Sequence, residues 1–577
     1  MRYPDGRSQI DRSSGQCRGR SRVATGWLPA AAFLVAFFGV SLAVGRAQAA
    51  EYFVAPTGSD SNPGTMASPF ATIQKGNDVA AAGDTVWLRG GTYFSTRQIV
   101  LSRSGSSDTN RTKFWAYQTE VPILDCSRYV STNKAADVPA VLVTGSWVHL
   151  RGLEIANGPV GASGDHSISM LRTRNSSNNT FERLNIHHGF GPGLFIDTGN
   201  GGNLILNCDS HDNYDKNGSQ GDGQNGDGFG VHYQTTGPST IIRGCRAWID
   251  SDDGYDLISQ EVPVIVENSW AIQNGYANGG AVSPADGNGN GFKMGSSVTG
   301  IRHIVQNNVA WKNKAAGFYA NHSSGGNTWL NNTSYMNGTQ YNMLASPPND
   351  SATTITLSGA LAHKMRNNIG FPNRNSNMGG VDTMFNTWDL NITESAADFA
   401  GTSDTGATGP RQADGSLPAV TFLKLKAGSP LIDKGTNVGL PFVGTAPDLG
   451  ADEYGAVTTP GTGGSGGGVT GAGGSNAGSG GSGAGGALAG AGGRGAGGGA
   501  GLGGVRGTGG AITTGQGGAS AGSGGTSGAG ETSGGCSCAL ATAGITGDLA
   551  GLAGALGVVV ACAGVSGSRR RKRPRCR

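Results

Sequence analysis

Cys245-Arg246-Ala247-Trp248-Ile249-Asp250 shares its outline with five other short runs along the chain. These are Leu184-Asn185-Ile186-His187-His188-Gly189, Cys208-Asp209-Ser210-His211-Asp212-Asn213, Ser269-Trp270-Ala271-Ile272-Gln273-Asn274, Val309-Ala310-Trp311-Lys312-Asn313 and Thr333-Ser334-Tyr335-Met336-Asn337. With Ile155, Ile186, Ser210, Ala247, Ala271, Ala310 and Ser334 taken as equivalent, the spacings are 31, 24, 37, 24, 39 and 24 residues. A unit of about 24 residues with short alternating segments cannot bury an apolar face alone, so it must stack on its neighbours. The spacing therefore predicts an all-β fold, a parallel β-helix in which each unit is one coil. Crossovers between parallel strands of one sheet are right-handed, which makes the solenoid right-handed.

A second column sets the register. Gly193-Leu194, Gly228-Phe229, Gly254-Tyr255, Gly291-Phe292 and Gly317-Phe318 follow the runs, and Tyr341 ends the series. The apolar members are expected to stack inward. Asn213, Asn274, Asn313 and Asn337, with Asp250 in line, suit an internal amide ladder at a turn. Cys208 and Cys245 also share a column, where two small buried residues fit better than a disulfide across strands ~4.8 Å apart. The cysteines lack the spacing of a structural metal site. Tyr52 to Ala55 reads as an opening strand. Ser68-Pro69 supplies an N-cap and a first-turn proline for a short capping helix running to about Ala82, and Asp84 to Tyr93 begins the first coil. Ser429 to Asp433 and Asp448 to Ala451 read as a closing segment.

The same register gathers charge. Asp227, Asp253 and Asn290 precede the glycine of successive coils, whereas Asp256 and Lys293 follow the apolar residue. Coils ~4.8 Å apart place Asp227 against Asp253 and Lys293 against Asp256, with Asp252 a fourth carboxylate at the same corner. Crowded carboxylates raise one another's pKa. A hard divalent cation with oxygen ligands removes that penalty, and Ca²⁺ is the natural one outside the cell. Lys293 is then either a salt-bridge partner of Asp256 or a working group of the site. Lys312 and Lys314 read as surface charges, and the long spacings place extended loops before Asp227 and before Lys293, where they would wall a groove.

Composition divides the chain. Residues 461–535 hold 38 of its 104 glycines, and the tract 456–535 cannot bury enough apolar surface to fold, so it reads as a flexible linker. Residues 1–49 read as a signal peptide. They carry seven Arg and two Asp, an apolar run from Trp27 to Val44, and the small-x-small sequence Ala47-Gln48-Ala49; an uncleaved anchor is the alternative. Residues 536–577 combine Cys536 and Cys538, an apolar stretch from Leu549 to Val565, and a basic end with seven Lys or Arg. The formal net charge of +3 belongs to these ends, because residues 50–535 carry 28 basic and 36 acidic residues, a net of −8. Such a body, assigned to residues 50–455, argues against a nucleic-acid partner. It is expected to be a monomer.

Several of these runs resemble those of a known family. Asn225-Gly226-Asp227-Gly228-Phe229, Asp250-Ser251-Asp252-Asp253-Gly254-Tyr255-Asp256-Leu257, Val266-Glu267-Asn268-Ser269-Trp270 and Gly289-Asn290-Gly291-Phe292-Lys293-Met294-Gly295 look like segments of the family 9 polysaccharide lyases, the pectate lyase branch of right-handed β-helix proteins. The resemblance implies that Asp227, Asp252, Asp253 and Asp256 hold Ca²⁺ and that Lys293 is the catalytic base. It further implies that the substrate is an acidic polysaccharide such as polygalacturonate, cut by β-elimination. Arg243 and Arg302 are candidates for gripping substrate carboxylates. The tail resembles the C-terminal sorting tails of myxobacterial exported proteins. That implies a secreted or surface-displayed protein whose membrane contact runs only through the tail. Two alternatives stand beside the lyase: a non-catalytic adhesin stiffened by calcium, and a β-helix glycoside hydrolase with paired carboxylates.

Overall fold

The computed structural model describes residues 48–456, apart from 131–137, 160–167, 216–220, 277–286, 297 and 349. The expected signal peptide, linker and tail lie outside these residues but for one or two at their borders. Among the described residues the chain winds through three parallel sheets of 12, 10 and 9 strands, forming a right-handed β-helix. One coil shows the order: Thr180–Glu182 lies in the 12-stranded sheet, Asn185–His187 in the 10-stranded and Leu194–Asp197 in the 9-stranded.

The expected registers are met residue for residue. Ile155, Ile186, Ser210, Ala247, Ala271, Ala310 and Ser334 pair in succession along the 10-stranded sheet. Leu194, Phe229, Tyr255, Phe292, Phe318 and Tyr341 pair along the 9-stranded sheet. The five rings of that column are fully buried, with centroids 4.6 to 5.2 Å apart and planes within 5° to 16°. Each stacked pair contributes roughly 0.5–1.5 kcal/mol beyond the area it buries. At Gly254 an added Cβ would lie 2.6 Å from Asn274 Nδ2, so this turn approaches the ladder too closely for a side chain.

Two amide ladders hold the turns. The expected one joins Asn213 Nδ2 to Asp250 Oδ1 at 2.8 Å and continues from Asn274 to Asn313 and from Asn313 to Asn337, both at 2.9 Å. The second lies between the 12- and 10-stranded sheets. Its first residue is left-handed, as at Asn307, Asn331 and Asn367 with φ of 55°, 51° and 59°, a conformation that Asn tolerates. The next residue turns inward: the Asn308 amide donates to Asn332 Oδ1, and the Asn332 amide to Asn368 Oδ1, both at 3.0 Å. The doublets Asn307-Asn308, Asn331-Asn332 and Asn367-Asn368 mark this ladder in the sequence. Cys208 and Cys245 are buried free thiols.

Two expectations about the ends need correction. The capping helix is Ile73–Val79, and its N-cap is Thr72, whose hydroxyl accepts from the Lys75 amide. Ser68-Pro69 precedes it, because Phe70 exchanges backbone hydrogen bonds of 2.8 and 2.9 Å with Phe53 and Ala55 and stays extended. The C-terminal segment, in turn, runs back along the outer face of the 10-stranded sheet instead of closing the end. Phe399, Phe422, Leu423, Leu431 and Leu449 pack there on Trp248, Ile272, Trp311 and Tyr335. Arg246 and Arg411 both pair with Asp209 at 2.7 Å, and Arg246 also donates to the carbonyls of Ala407 and Gly409. An outward row of large apolar side chains cannot be left to water, and the segment removes that exposure.

Candidate active site

The corner between the 10- and 9-stranded sheets carries the charges. Asp227 and Asp253 stand just before the aromatic column, each with one oxygen committed to the next coil. Asp227 Oδ1 accepts from the Asp253 amide at 3.1 Å, and Asp253 Oδ1 accepts from the Asn290 amide at 2.7 Å and from Asn290 Nδ2 at 2.8 Å. Asn290 Oδ1 accepts in turn from the Ala316 amide. This row of acceptors fixes both carboxylates. Asp253 Oδ2 faces Lys293.

Asp256 and Lys293 come from the strands Tyr255–Ile258 and Phe292–Met294 and are register partners. Alternation decides their direction: their neighbours Tyr255, Leu257, Phe292 and Met294 fill the core, so Asp256 and Lys293 project from the outer face. Lys293 Nζ lies 2.9 Å from Asp253 Oδ2 and 3.3 Å from Asp256 Oδ2. Asp227, Asp253 and Asp256 each bring an oxygen within 4.8 Å of the others. Asp256 Oδ1 is buried and accepts no hydrogen bond, which leaves an acceptor open to a ligand.

Asp252 stands apart from this trio. It sits at the expected corner, but its two oxygens accept from the amides of Asn288 at 2.5 Å and Asn225 at 3.0 Å. It therefore ties together the two loops that precede Lys293 and Asp227. Parts of those loops, 216–220 and 277–286, fall outside the described residues. Lys314 also anchors the second loop, donating to the Gly287 carbonyl at 2.8 Å, and so is more than a surface charge. Lys312 is exposed, as expected of a surface residue, with its ammonium 4.2 Å from the centroid of the buried Trp311 ring.

Electrostatics follow from burial. Burial, with the charges of Asp252, Asp256 and Asp253, holds the Asp227 carboxyl well above the usual range. Burial and Asp253 push Asp252 up to about 7, and burial also raises Asp253. At Asp256 the burial penalty is outweighed by the Lys293 charge and by His232, so its pKa falls. At Lys293 burial favours the neutral amine, but Asp253, Asp256, Asp252 and Asp227 outweigh it and raise the pKa well above the usual lysine value. The ammonium thus serves as the counter-ion of the carboxylate cluster.

His232 was missed in the sequence. It lies one coil before Asp256 and two residues along its strand, with Nε2 3.6 Å from Asp256 Oδ2. The only signal was its place on the same outward-facing alternation. Neither Arg243 nor Arg302 reaches this corner. Arg243 is on the 12-stranded sheet, paired with Glu267 at 2.5 Å, and Arg302 donates to the carbonyls of Ala360 and Ala362.

A right-handed β-helix that sets a lysine among converging carboxylates on the outer face of one sheet has the form of a β-helix polysaccharide lyase. Residues 52–378 match the family described as Pel9A-like, right handed beta helix region, and the chain belongs to that family and is a polysaccharide lyase. It is 34% identical over 413 residues to pectate lyase L of Dickeya dadantii, covering 70% of this chain and 90% of the relative. The crystal structure of pectate lyase Pel9A superposes with a TM-score of 0.59 at 31% identity, over 71% of this chain and 97% of that one. A rhamnogalacturonan lyase structure superposes with a TM-score of 0.57 at 30% identity, over 65% of this chain and 96% of that one.

Proposed function

We propose that this chain is an exported, calcium-dependent pectate lyase that cleaves a polyuronate such as polygalacturonate by β-elimination, with Lys293 as the base. The observation that carries the reading is Lys293 held at 2.9 and 3.3 Å from two of three converging carboxylates. The unpartnered Asp256 Oδ1 and the all-oxygen donor set fit a hard dication. Asp227, Asp253 and Asp256 would hold it, with the charge of Asp252 alongside. Bound there, calcium would engage a substrate carboxylate, offset the charge that develops next to it, and take from Lys293 the carboxylates that keep it protonated.

The protein's own part is proton transfer and orientation. The neutral Lys293 amine takes the C5 proton of a uronate. The C5–H electron pair forms the C4–C5 double bond, the C4–O bond breaks, and the leaving oxygen gains a proton from solvent. The ammonium that results remains beside the carboxylate cluster and passes its proton to solvent before the next turnover. No water is consumed, unlike the hydrolysis performed by paired carboxylates.

The test follows ultraviolet absorbance of the unsaturated product from polygalacturonate, with calcium and with chelator. Calcium-dependent absorbance that Lys293→Ala lowers by at least ~10²-fold supports the reading. Reducing ends without absorbance, or full activity in Lys293→Ala, refute it.

A further inference from the structure

Phe195, Gly230, Asp256 and Lys293 form one outward column of the 9-stranded sheet on successive coils. Gly230 leaves a gap in it. A Cβ at Gly230 would lie 2.4 Å from Phe195 Cδ2 and 3.7 Å from His232 Nε2, so the Phe195 ring covers the place of a side chain and the imidazole reaches back beside it. His232 stands two residues further along the same strand, Phe229–His232, and alternation puts it on the same outer face. Its ring packs edge-on against Phe195 at 4.6 Å and is buried. Nε2 lies 3.6 Å from Asp256 Oδ2 and has no hydrogen-bond partner among the described residues.

Asp256 is thus approached from both sides along the sheet. His232 comes from the preceding coil, and Lys293, from the following one, brings Nζ to 3.3 Å from the same Oδ2. A carboxylate only accepts hydrogen bonds, so the imidazole that faces it presents Nε2–H. At 3.6 Å the contact falls just outside a hydrogen bond, and a movement of the carboxylate toward His232 by roughly half an ångström completes it. A dication that draws Asp256 from Lys293 leaves Oδ2 in need of another donor, and the imidazole stands on the side away from Lys293.

We propose that His232 is a positioning residue of the metal centre: its Nε2–H takes Asp256 Oδ2 and so turns the open Oδ1 toward the cation. Phe195 fixes the ring, and Gly230 gives it room. Hydrogen bonds of this kind orient metal ligands, and losing one costs about 10- to 100-fold in metal affinity. The inference deepens the calcium-dependent reading above and rests on it.

His232→Gln and His232→Met supply the test. Both remove the ring and have side chains of similar length, but only Gln carries an N–H donor. Calcium binding to the full chain is measured by calorimetry without substrate, and the calcium concentration giving half the maximal lyase rate is measured beside it. His232→Met should raise the calcium Kd about 10- to 100-fold, with the half-maximal concentration rising by the same factor, and His232→Gln should recover most of that loss. Equal losses in the two variants would show that the ring only packs, and they overturn the proposal. An unchanged Kd in His232→Met overturns it as well. Should neither variant fold, Phe195→Leu, which removes the ring that holds the imidazole, is measured in the same way: a raised Kd supports the proposal and an unchanged one overturns it. If the unaltered protein takes up no calcium, the calcium-dependent reading itself fails and takes the proposal with it, whereas uptake that His232→Met leaves unchanged sinks the proposal alone.

Discussion

Replacing Lys293 by Ala should affect stability as strongly as catalysis, in a way that calcium reverses. The Lys293 side chain is about one-tenth exposed, and its partners Asp253 and Asp256 are buried at 2.9 and 3.3 Å. Removing one member of a buried ion pair costs about 3–5 kcal/mol, because the remaining charge is left uncompensated. The carboxylates respond by binding protons, so their folded pKa values rise above the unfolded ones. The folded variant then binds more protons than the unfolded chain, and its stability falls as pH rises from about 4 through those folded values. In chelator, the stability lost relative to the unaltered protein should be small near pH 4 and approach the full 3–5 kcal/mol near pH 8. A dication taking the same carboxylates should return about 2.7 kcal/mol at one hundred times its Kd. Urea denaturation of both proteins at the two pH values, with calcium and with chelator, measures each quantity. A variant as stable as the unaltered protein in chelator at pH 8, or one indifferent to calcium, would refute the reasoning.

Above about pH 6.5, where the buried His303 and His363 are neutral in the folded and unfolded states alike, the unaltered protein in chelator should also lose stability as pH rises, because Asp227, Asp252 and Asp253 all have raised pKa values, Asp252 at about 7. Denaturation midpoints from about pH 6.5 to 8 would show the loss; a midpoint rising across that range contradicts it. Phe292→Ala, which removes a fully buried ring stacked 4.6 and 4.9 Å from its neighbours, should cost about 3–5 kcal/mol. Equilibrium denaturation measures that loss, and a cost below about 1 kcal/mol would mean that the column is not a packed core.

Much of the fold was legible because a solenoid writes its tertiary contacts as a sequence period. In a parallel β-helix, residues one coil apart are neighbours, so aligning Ala247 with Ala271, or Asp256 with Lys293, predicts pairs that the structure contains. The inward or outward sense follows from strand alternation, which is why the aromatic column and the charged column both came out correctly. Composition separated the acidic body from its basic ends by arithmetic alone.

What repeats did not decide had to wait for the tertiary structure. That Asp252 bonds the amides of Asn225 and Asn288 depends on how a non-repeating turn is bent. The C-terminal segment's return along Trp248 and Trp311 joins residues more than a hundred positions apart, with no period to link them. The sequence by itself determined the coil, its register and the residues of the charged corner, since stacking converts a fixed spacing into a fixed contact. Only the tertiary structure decided which carboxylate oxygens stay open and what covers the solenoid's flank, since both depend on side-chain directions and long-range packing that no spacing encodes.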